Sequence, residues 1–300
     1  ANHSYSDAKK WLSFNKYIFQ LTSFLNPLYQ ITPPVISQFS YKDILSLLPL
    51  IKPISKNGTK GFVNLIRSVP MSMPELMDEW FDSKLLRGTL SASGIRNLSQ
   101  GPYSAATVIN FLHQQVNNNN TLFNAYLIKG GMDSFAKVLR KIAENIEVKI
   151  LYNTKIKSII CKNNFCTGVI TDKGITYNAD KIISGLNPIR TFCKLIGINN
   201  LSPNFIRQIN NIKFRGVTAR MHFALKKLPL IDGINNKQMN SIFAISPSIK
   251  YIERAYDDIK YGCFSNNPYL EFYFPSIDNS SYAPKGKHVM SVSVQYVPYK

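Results

Sequence analysis

Residues 129–188 read KGGMDSFAKVLRKIAENIEVKILYNTKIKSIICKNNFCTGVITDKGITYNADKIISGLNP. The order of pieces here decides the fold: a glycine pair, an amphipathic helix, short β-prone runs, then a Ser-Gly-Leu-Asn-Pro turn. The helix is predicted over Asp133 to Asn145, where Phe135, Val138, Leu139 and Ile142 share one face. Strands are predicted over Val148–Leu151, Lys155–Cys161, Phe165–Thr171, Ile175–Tyr177 and Lys181–Ser184. Lys162-Asn163-Asn164-Phe165 and Asp172-Lys173-Gly174 supply the residues that tight turns need. Gly130-Gly131 lets backbone approach a ligand closely, and the helix behind it aims N–H groups at an anion or polar ring. A plain turn before a helix has the same sequence, so both readings stand at this point.

On the N-terminal side the pattern is helical. Asp7 to Leu25 carries Trp11, Leu12, Phe14, Tyr17, Ile18, Leu21 and Leu25 close to helical spacing, and Asn26-Pro27 stops it. Pro33-Pro34 marks a linker, Tyr41 to Leu48 a short helix, and Gly58 to Ser68 another. Ser72-Met73-Pro74-Glu75 opens a helix with a cap, a first-turn proline and an acidic residue at the positive end. Further helices are predicted over Ser83 to Leu90 and Tyr103 to Gln115, with a surface loop at Asn117–Asn120. Their apolar stripes read either as domain core or as the wall of a lipophilic pocket or membrane-touching face. On the C-terminal side, helices are predicted over Pro188 to Leu195, Ser202 to Ile209 and Ser248 to Lys260. Strands are predicted over Val217–Leu225, Ser241–Ile245, Leu270–Phe274 and His288–Tyr296.

Four short patterns in order resemble the phytoene-dehydrogenase-like FAD-dependent oxidoreductases of the amine-oxidase/phytoene-desaturase flavoprotein superfamily. The run beginning Lys129-Gly130-Gly131-Met132 is similar to their glycine loop and helix. Asn153 to Ile159 resembles their N-T-x-V-x-x-I strand, and Thr167 to Gly174 the x-G-V-x-x-x-x-G hairpin. Ala179 to Pro188 resembles A-D-x-V-V-S-N-x-x-P. Outside this stretch, Glu79 to Leu90, Gly101 to His113 and the ending from His288 to Tyr299 resemble one branch of that group.

The resemblance implies α/β and α+β architecture: a partial FAD-binding Rossmann-type domain plus a substrate domain of mixed sheet and helices. It divides the chain into 1–128, the mostly helical part of the substrate domain; 129–190, an internal part of a discontinuous FAD domain; and 191–300, substrate-domain sheet and helices. It implies FAD as cofactor. It places the backbone of Ile156 at the adenine, Ser184 and Gly185 in the turn near the dinucleotide, and Gly130 and Gly131 in a loop toward flavin or substrate. A strand backbone meets a base edge whatever its side chain, so Ile in place of the usual Val at 156 costs nothing. Gly185 stands where the family has Asn, which removes an amide contact.

No G-x-G-x-x-G follows a strand, and no acidic ribose ligand lies downstream of one. The chain starts at Ala1 and its last residues read as the middle of an element. Both ends are therefore expected to be cut, and the fragment is expected to bind FAD poorly or not at all and to be inactive alone. The rival classes are a non-catalytic flavoprotein-like scaffold or regulatory protein, and a basic lipid- or nucleic-acid-binding module.

The chain of 300 residues is 45% hydrophobic, enough for a sizeable core. Its net charge of +19 is scattered, without an arginine-rich arm or helix-turn-helix. That reads as a solvated basic surface, with weak attraction to anionic lipid or nucleotide phosphate as the alternative. Nucleic acid is not expected as a partner. A small-molecule substrate is, lipophilic by analogy with carotenoid-acting members, with peripheral membrane contact as an open reading and no oligomeric state indicated. No run reaches membrane-span length. The four cysteines, with no C-x-x-C pair, fit a reducing compartment: cytoplasm, or a mitochondrial matrix. Cys161 and Cys166 flank a hairpin turn, as packed thiols or as a disulfide. No metal-ligand spacing and no G-x-S-x-G elbow is present. His113 and His222 are expected to be packed, His3 and His288 isolated, and no catalytic residue is assigned.

Overall fold

The computed structural model describes residues 4–32, 40–41, 45, 48–116, 118, 122–123, 128–235 and 237–299. The helix expected at Tyr41 to Leu48 and the loop at Asn117–Asn120 lie largely outside this set. Contacts divide the chain into two compact units, residues 1–131 with 215–300, and residues 132–214.

The first unit begins with helix α1, Tyr5–Leu25. The Ser4 hydroxyl caps it by accepting from the Asp7 N–H at 3.2 Å. Its stripe of Phe14, Ile18 and Leu21 is completely buried. Helix α2, Ile51–Ser68, is two helical pieces broken at Gly58, whose φ of 68° no helix allows. The sequence pattern had found only the second piece. Helix α3, Met73–Trp80, opens as its sequence requires: the Glu75 carboxylate accepts from the Ser72 N–H at 2.7 Å. Helices α4, Lys84–Ile95, and α5, Thr107–Gln115, complete the bundle. Met73, Leu76, Met77, Phe81, Phe111 and Leu112 close over the α1 stripe. These stripes are core.

The rest of the unit is an antiparallel sheet in the order β4-β7-β6-β5. Its strands are β4, Thr218–Leu225; β5, Phe243–Ile245; β6, Leu270–Tyr273; and β7, His288–Gln295. Helix α8, Ile249–Lys260, packs on α4. Ala92, Ile95, Ile252, Ala255, Tyr269 and Tyr296 form the second core cluster.

The second unit holds helix α6, Gly131–Asn145, which begins at the last residue of the first unit. A meander in the order β1-β2-β3 follows: Ile156–Lys162, Phe165–Thr171 and Thr176–Asn178. Asn163 and Asn164 both have positive φ, 49° and 66°. That is the two-residue hairpin turn expected from the sequence. The helix Ile189–Gly197 packs on β1, and helix α7, Pro203–Asn210, follows. This packing carries the unit on to Phe214, beyond the boundary at 190/191 drawn from sequence. The expected strands Val148–Leu151 and Lys181–Ser184 join no ladder among the described residues. β-propensity makes a strand only where a partner edge is present.

One tie holds the bundle's first and fourth helices. The Asp7 carboxylate, 2% exposed, accepts the N–H groups of Asp82 and Ser83, both at 2.9 Å. Burial alone would raise this carboxyl's pKa. The two backbone donors, the Ser4 hydroxyl and Lys10 outweigh burial and hold it below the ordinary carboxylate value. Asp7→Ala is expected to cost about 2–3 kcal/mol near neutral pH, since it leaves buried donors unpaired. A group with a depressed folded pKa stabilises above its unfolded value of about 3.9 and loses that contribution as pH falls through the folded value. Urea unfolding of both proteins should therefore show a gap at neutral pH that closes in acid. A gap independent of pH would refute this role for the carboxylate.

Candidate functional site

The candidate residues fall in both units, and each is described in its own. Gly130 and Gly131 close the first unit with φ values of 82° and 78°. A Cβ on Gly131 would stand 1.8 Å from the Tyr282 hydroxyl oxygen and 3.3 Å from Asn279 Nδ2. The close approach foreseen for this pair is thus to the chain's own tyrosine. Asn279 Nδ2 beside it is buried and finds no hydrogen-bond partner among the described residues.

In the second unit Ile156 opens β1, opposite Thr171 of β2. β1 is an edge of its sheet. An edge strand leaves alternate N–H and C=O groups unused by its neighbour, and these can meet a base edge. Ser184 and Gly185 form the turn that leads into the helix Ile189–Gly197, which returns to β1. The Ser184 hydroxyl lies 2.8 Å from that of Thr191 and accepts the Leu186 N–H at 3.3 Å, so its role is to pin the turn. A Cβ at Gly185 would meet nothing within 4 Å. The structure thus brings the β1 edge and the Ser184 turn into one layer.

These residues fit one part of FAD only. An edge backbone and an open turn suit an adenine and its linker. None of the residues assigned here forms a glycine-rich strand-to-helix turn, which is how a pyrophosphate is gripped.

Other chemistry is sparse. His113 and His222 are exposed rather than packed as expected. His113 Nδ1 pairs with the Tyr29 hydroxyl, and His222 stands on the edge strand β4. The His288 ring nitrogen lies 3.2 Å from the Ser276 hydroxyl. No group of three or more metal-ligating side chains is gathered among the described residues. The sequence reading missed a partly buried polar cluster. Arg96 at the end of α4 donates from Nε to Glu271 of β6 at 3.2 Å and pairs with it again through its terminal nitrogen. The Tyr269 hydroxyl donates to the same carboxylate. Burial, then Glu271, drives the Tyr269 phenol far above its ordinary pKa, so it stays protonated and cannot act as a base. Gln295, 3% exposed, donates to the carbonyls of Ile95 at 3.0 Å and Leu98 at 2.8 Å. These contacts fasten α4 to the sheet across up to 200 residues of sequence. Nothing local in the sequence signals them.

Cys161 and Cys166 face each other across the hairpin as free thiols, with 3.1 Å between sulfurs. Burial, then the neighbouring Cys166, pushes the Cys161 thiol up to about 11. A cavity of about 470 Å³ lies beside Asp7, Trp11, Ser83, Leu86 and Thr89. The Asp7 carboxylate is already committed to backbone donors, so this cavity offers mainly an apolar wall. No helix among the described residues is long and apolar enough to cross a membrane.

No family model matches the chain. It is 22% identical over 314 aligned positions to the pyridine nucleotide-disulfide oxidoreductase domain-containing protein 2 of Rattus norvegicus, and equally to that of Mus musculus. The alignments take in 99% of this chain and 54% of each relative, so the chain spans about half their length. The crystal structure of an oxidoreductase from Methanosarcina mazei superposes with a TM-score of 0.53 at 17% identity. It covers 87% of this chain and 53% of that one. The α/β and α+β fold is therefore shared with a solved oxidoreductase, in part of its length.

Two measurements check this geometry. Gly131→Ala is expected to cost about 1–2 kcal/mol, because a left-handed backbone disfavours any Cβ. Gly185→Ala should stay within about 0.5 kcal/mol. Equal effects in thermal melts would contradict the assignment. At pH 8 a thiol with a pKa near 11 is ionised in about one molecule in a thousand. Iodoacetamide should therefore modify the exposed Cys263 well before Cys161, and the reverse order by peptide mass mapping would overturn that shift.

Proposed function

We propose that this chain is part of an FAD-dependent oxidoreductase of the phytoene-dehydrogenase-like kind, acting on a small, lipophilic molecule. The observation that carries the reading is the similarity over 99% of the chain to relatives named as oxidoreductase-domain proteins. The ordered motifs of residues 129–188 support it independently, because four patterns in sequence are far more restrictive than any one. The fold shared with the Methanosarcina oxidoreductase is consistent with it.

When bound, FAD supplies the redox step by accepting a hydride equivalent from the substrate. The contribution of this chain is binding and shape. The β1 edge at Ile156 is suited to the adenine, and the Ser184–Gly185 turn to the adjoining linker. The grip on the pyrophosphate must come from other polypeptide. No residue described here stands as an acid–base pair. Tyr269 and Glu271 are the nearest to one in composition, and they are locked with Arg96.

The test is flavin content. The protein made from its complete reading frame should purify with stoichiometric FAD and a flavin visible spectrum, while residues 1–300 alone should take up almost none. A colourless complete protein that binds no added FAD would favour a scaffold role over an enzyme.

A further inference from the structure

Cys161 and Cys166 hold a particular position in the β1–β2 hairpin. Lys162 and Phe165 flank the Asn163-Asn164 turn, and Cys161 faces Cys166 one pair further on. In an antiparallel ladder the pair beside a two-residue turn exchanges both backbone hydrogen bonds. The next pair exchanges none, and its side chains stand closer. The two cysteines therefore sit where a cross-strand pair comes nearest. Their sulfurs lie 3.1 Å apart, both side chains are half-buried, and neither is bridged. A disulfide needs the sulfurs about 1 Å closer, since an S–S bond is about 2.05 Å long. The ladder beside them is already interrupted. Ile160 pairs with Gly168, which leaves Thr167 as an extra residue on β2. Such a bulge takes up a movement of that size. Lys162, Asn163, Asn164 and Phe165 are all exposed, so small reagents reach the turn.

We propose that Cys161 and Cys166 are a redox modification site, a dithiol that a small hydroperoxide closes to a disulfide and that a reducing thiol opens again. The inference stands apart from the flavoprotein reading and needs no bound cofactor.

The closing reaction has two steps. The Cys166 thiolate attacks one oxygen of hydrogen peroxide. An S–O bond forms, the O–O bond breaks, and the second oxygen leaves as hydroxide, which takes a proton from solvent. The Cys161 sulfur then attacks Cys166 Sγ. The S–S bond forms, the S–O bond breaks, and the hydroxyl departs with the Cys161 proton as a second water. Each sulfur loses one electron, and each peroxide oxygen gains one. The first attack falls to Cys166 because Cys161 keeps its proton, burial and then Cys166 holding its thiol up at about 11. The two strands and their turn carry Lys157 and Lys162 and no acidic residue, so nothing in the hairpin opposes a thiolate.

Two other roles fit less well. A structural disulfide here would close a very short loop, where the entropy removed from the unfolded chain is least. A structural zinc ion would need further ligands, and no group of three metal-ligating side chains is gathered among the described residues.

Peptide mapping tests the proposal on the protein made from its complete reading frame. Trypsin cuts after Lys162, so a bridge holds two peptides together until dithiothreitol separates them. Brief hydrogen peroxide treatment of the folded protein should remove both thiols from reaction with N-ethylmaleimide and yield the joined peptides. Dithiothreitol should restore both thiols without unfolding. In Cys161→Ser, Cys166 should stop at the sulfenic acid and take up dimedone, while Cys166→Ser should leave Cys161 unlabelled. The unmutated protein's map decides the matter even where a variant fails to fold. Three results would overturn the site: a pair that stays reduced in peroxide, a bridge that joins either cysteine to Cys193, Cys263 or another chain, or a bridge that dithiothreitol opens only in urea. Dimedone on Cys161 in Cys166→Ser would overturn the order of attack.

Discussion

Three helices of the first unit meet on a single ring. Phe14 packs edge-on against Phe81 at 4.9 Å and Trp80 at 5.4 Å between centroids, and it stacks on Phe111 at 6.3 Å. It thereby joins α1 to the end of α3 and to α5. Such rings contribute through buried area and through the preference of their edges for a neighbour's face, and truncating one typically costs about 3–5 kcal/mol. The polar ties depend on this packing. Asp7 lies two helical turns before Phe14 on α1, and it can reach Asp82 and Ser83 only because Phe14 draws the end of α3 against α1. Ser83 in turn caps α4, and α4 delivers Arg96 to Glu271.

Local signals were legible wherever the physics is local. Ser72, Ser83, Ser202 and Ser248 precede helices and each begins one in the structure. Asn163-Asn164 reads as a two-residue turn and is one. Apolar spacing along Asp7 to Leu25 identified the helix and most of its buried side, Phe14, Ile18 and Leu21, while Leu12, counted with them, stands exposed. Long-range pairings were not legible, because nothing in the sequence near Arg96 announces a partner 175 residues away. The same limit explains Gly131. A glycine pair signals that something comes close, and only the fold shows that the approaching group is Tyr282. His113 and His222 were misjudged for a related reason. Apolar neighbours in sequence do not fix which way a side chain faces: Phe111 and Leu112 are buried while His113 turns outward, and Met221 and Phe223 beside His222 are themselves exposed.

The runs Val148–Leu151 and Lys181–Ser184 show the difference between propensity and structure. Their composition is that of strands, yet a strand is a property of a pair of segments, and its hydrogen bonds need a second edge. Of the candidate site, the sequence located the elements but not their state. It placed Ile156 on a strand and Ser184 in a turn. It could not tell that the strand would be an outer one, or that the serine hydroxyl would be occupied by Thr191.

The two units also differ in how they treat polar and apolar groups. In the first, half-buried charge is paired, as with Arg96 and Glu271, and its large apolar stripes close on one another. In the second, the buried side chains are few, Ile159, Thr171, Thr191, Leu195 and Ile209 among them, while a whole helix face of large apolar side chains meets water. Apolar burial is the main force that offsets chain entropy, so the second layer draws less stability from its own packing than the first. The motifs that resemble a flavoprotein from Met132 onward, and the adenine-side candidate Ile156, lie in that second layer. Ile156 and the Ser184 turn are therefore presented by a layer whose own buried apolar area is small.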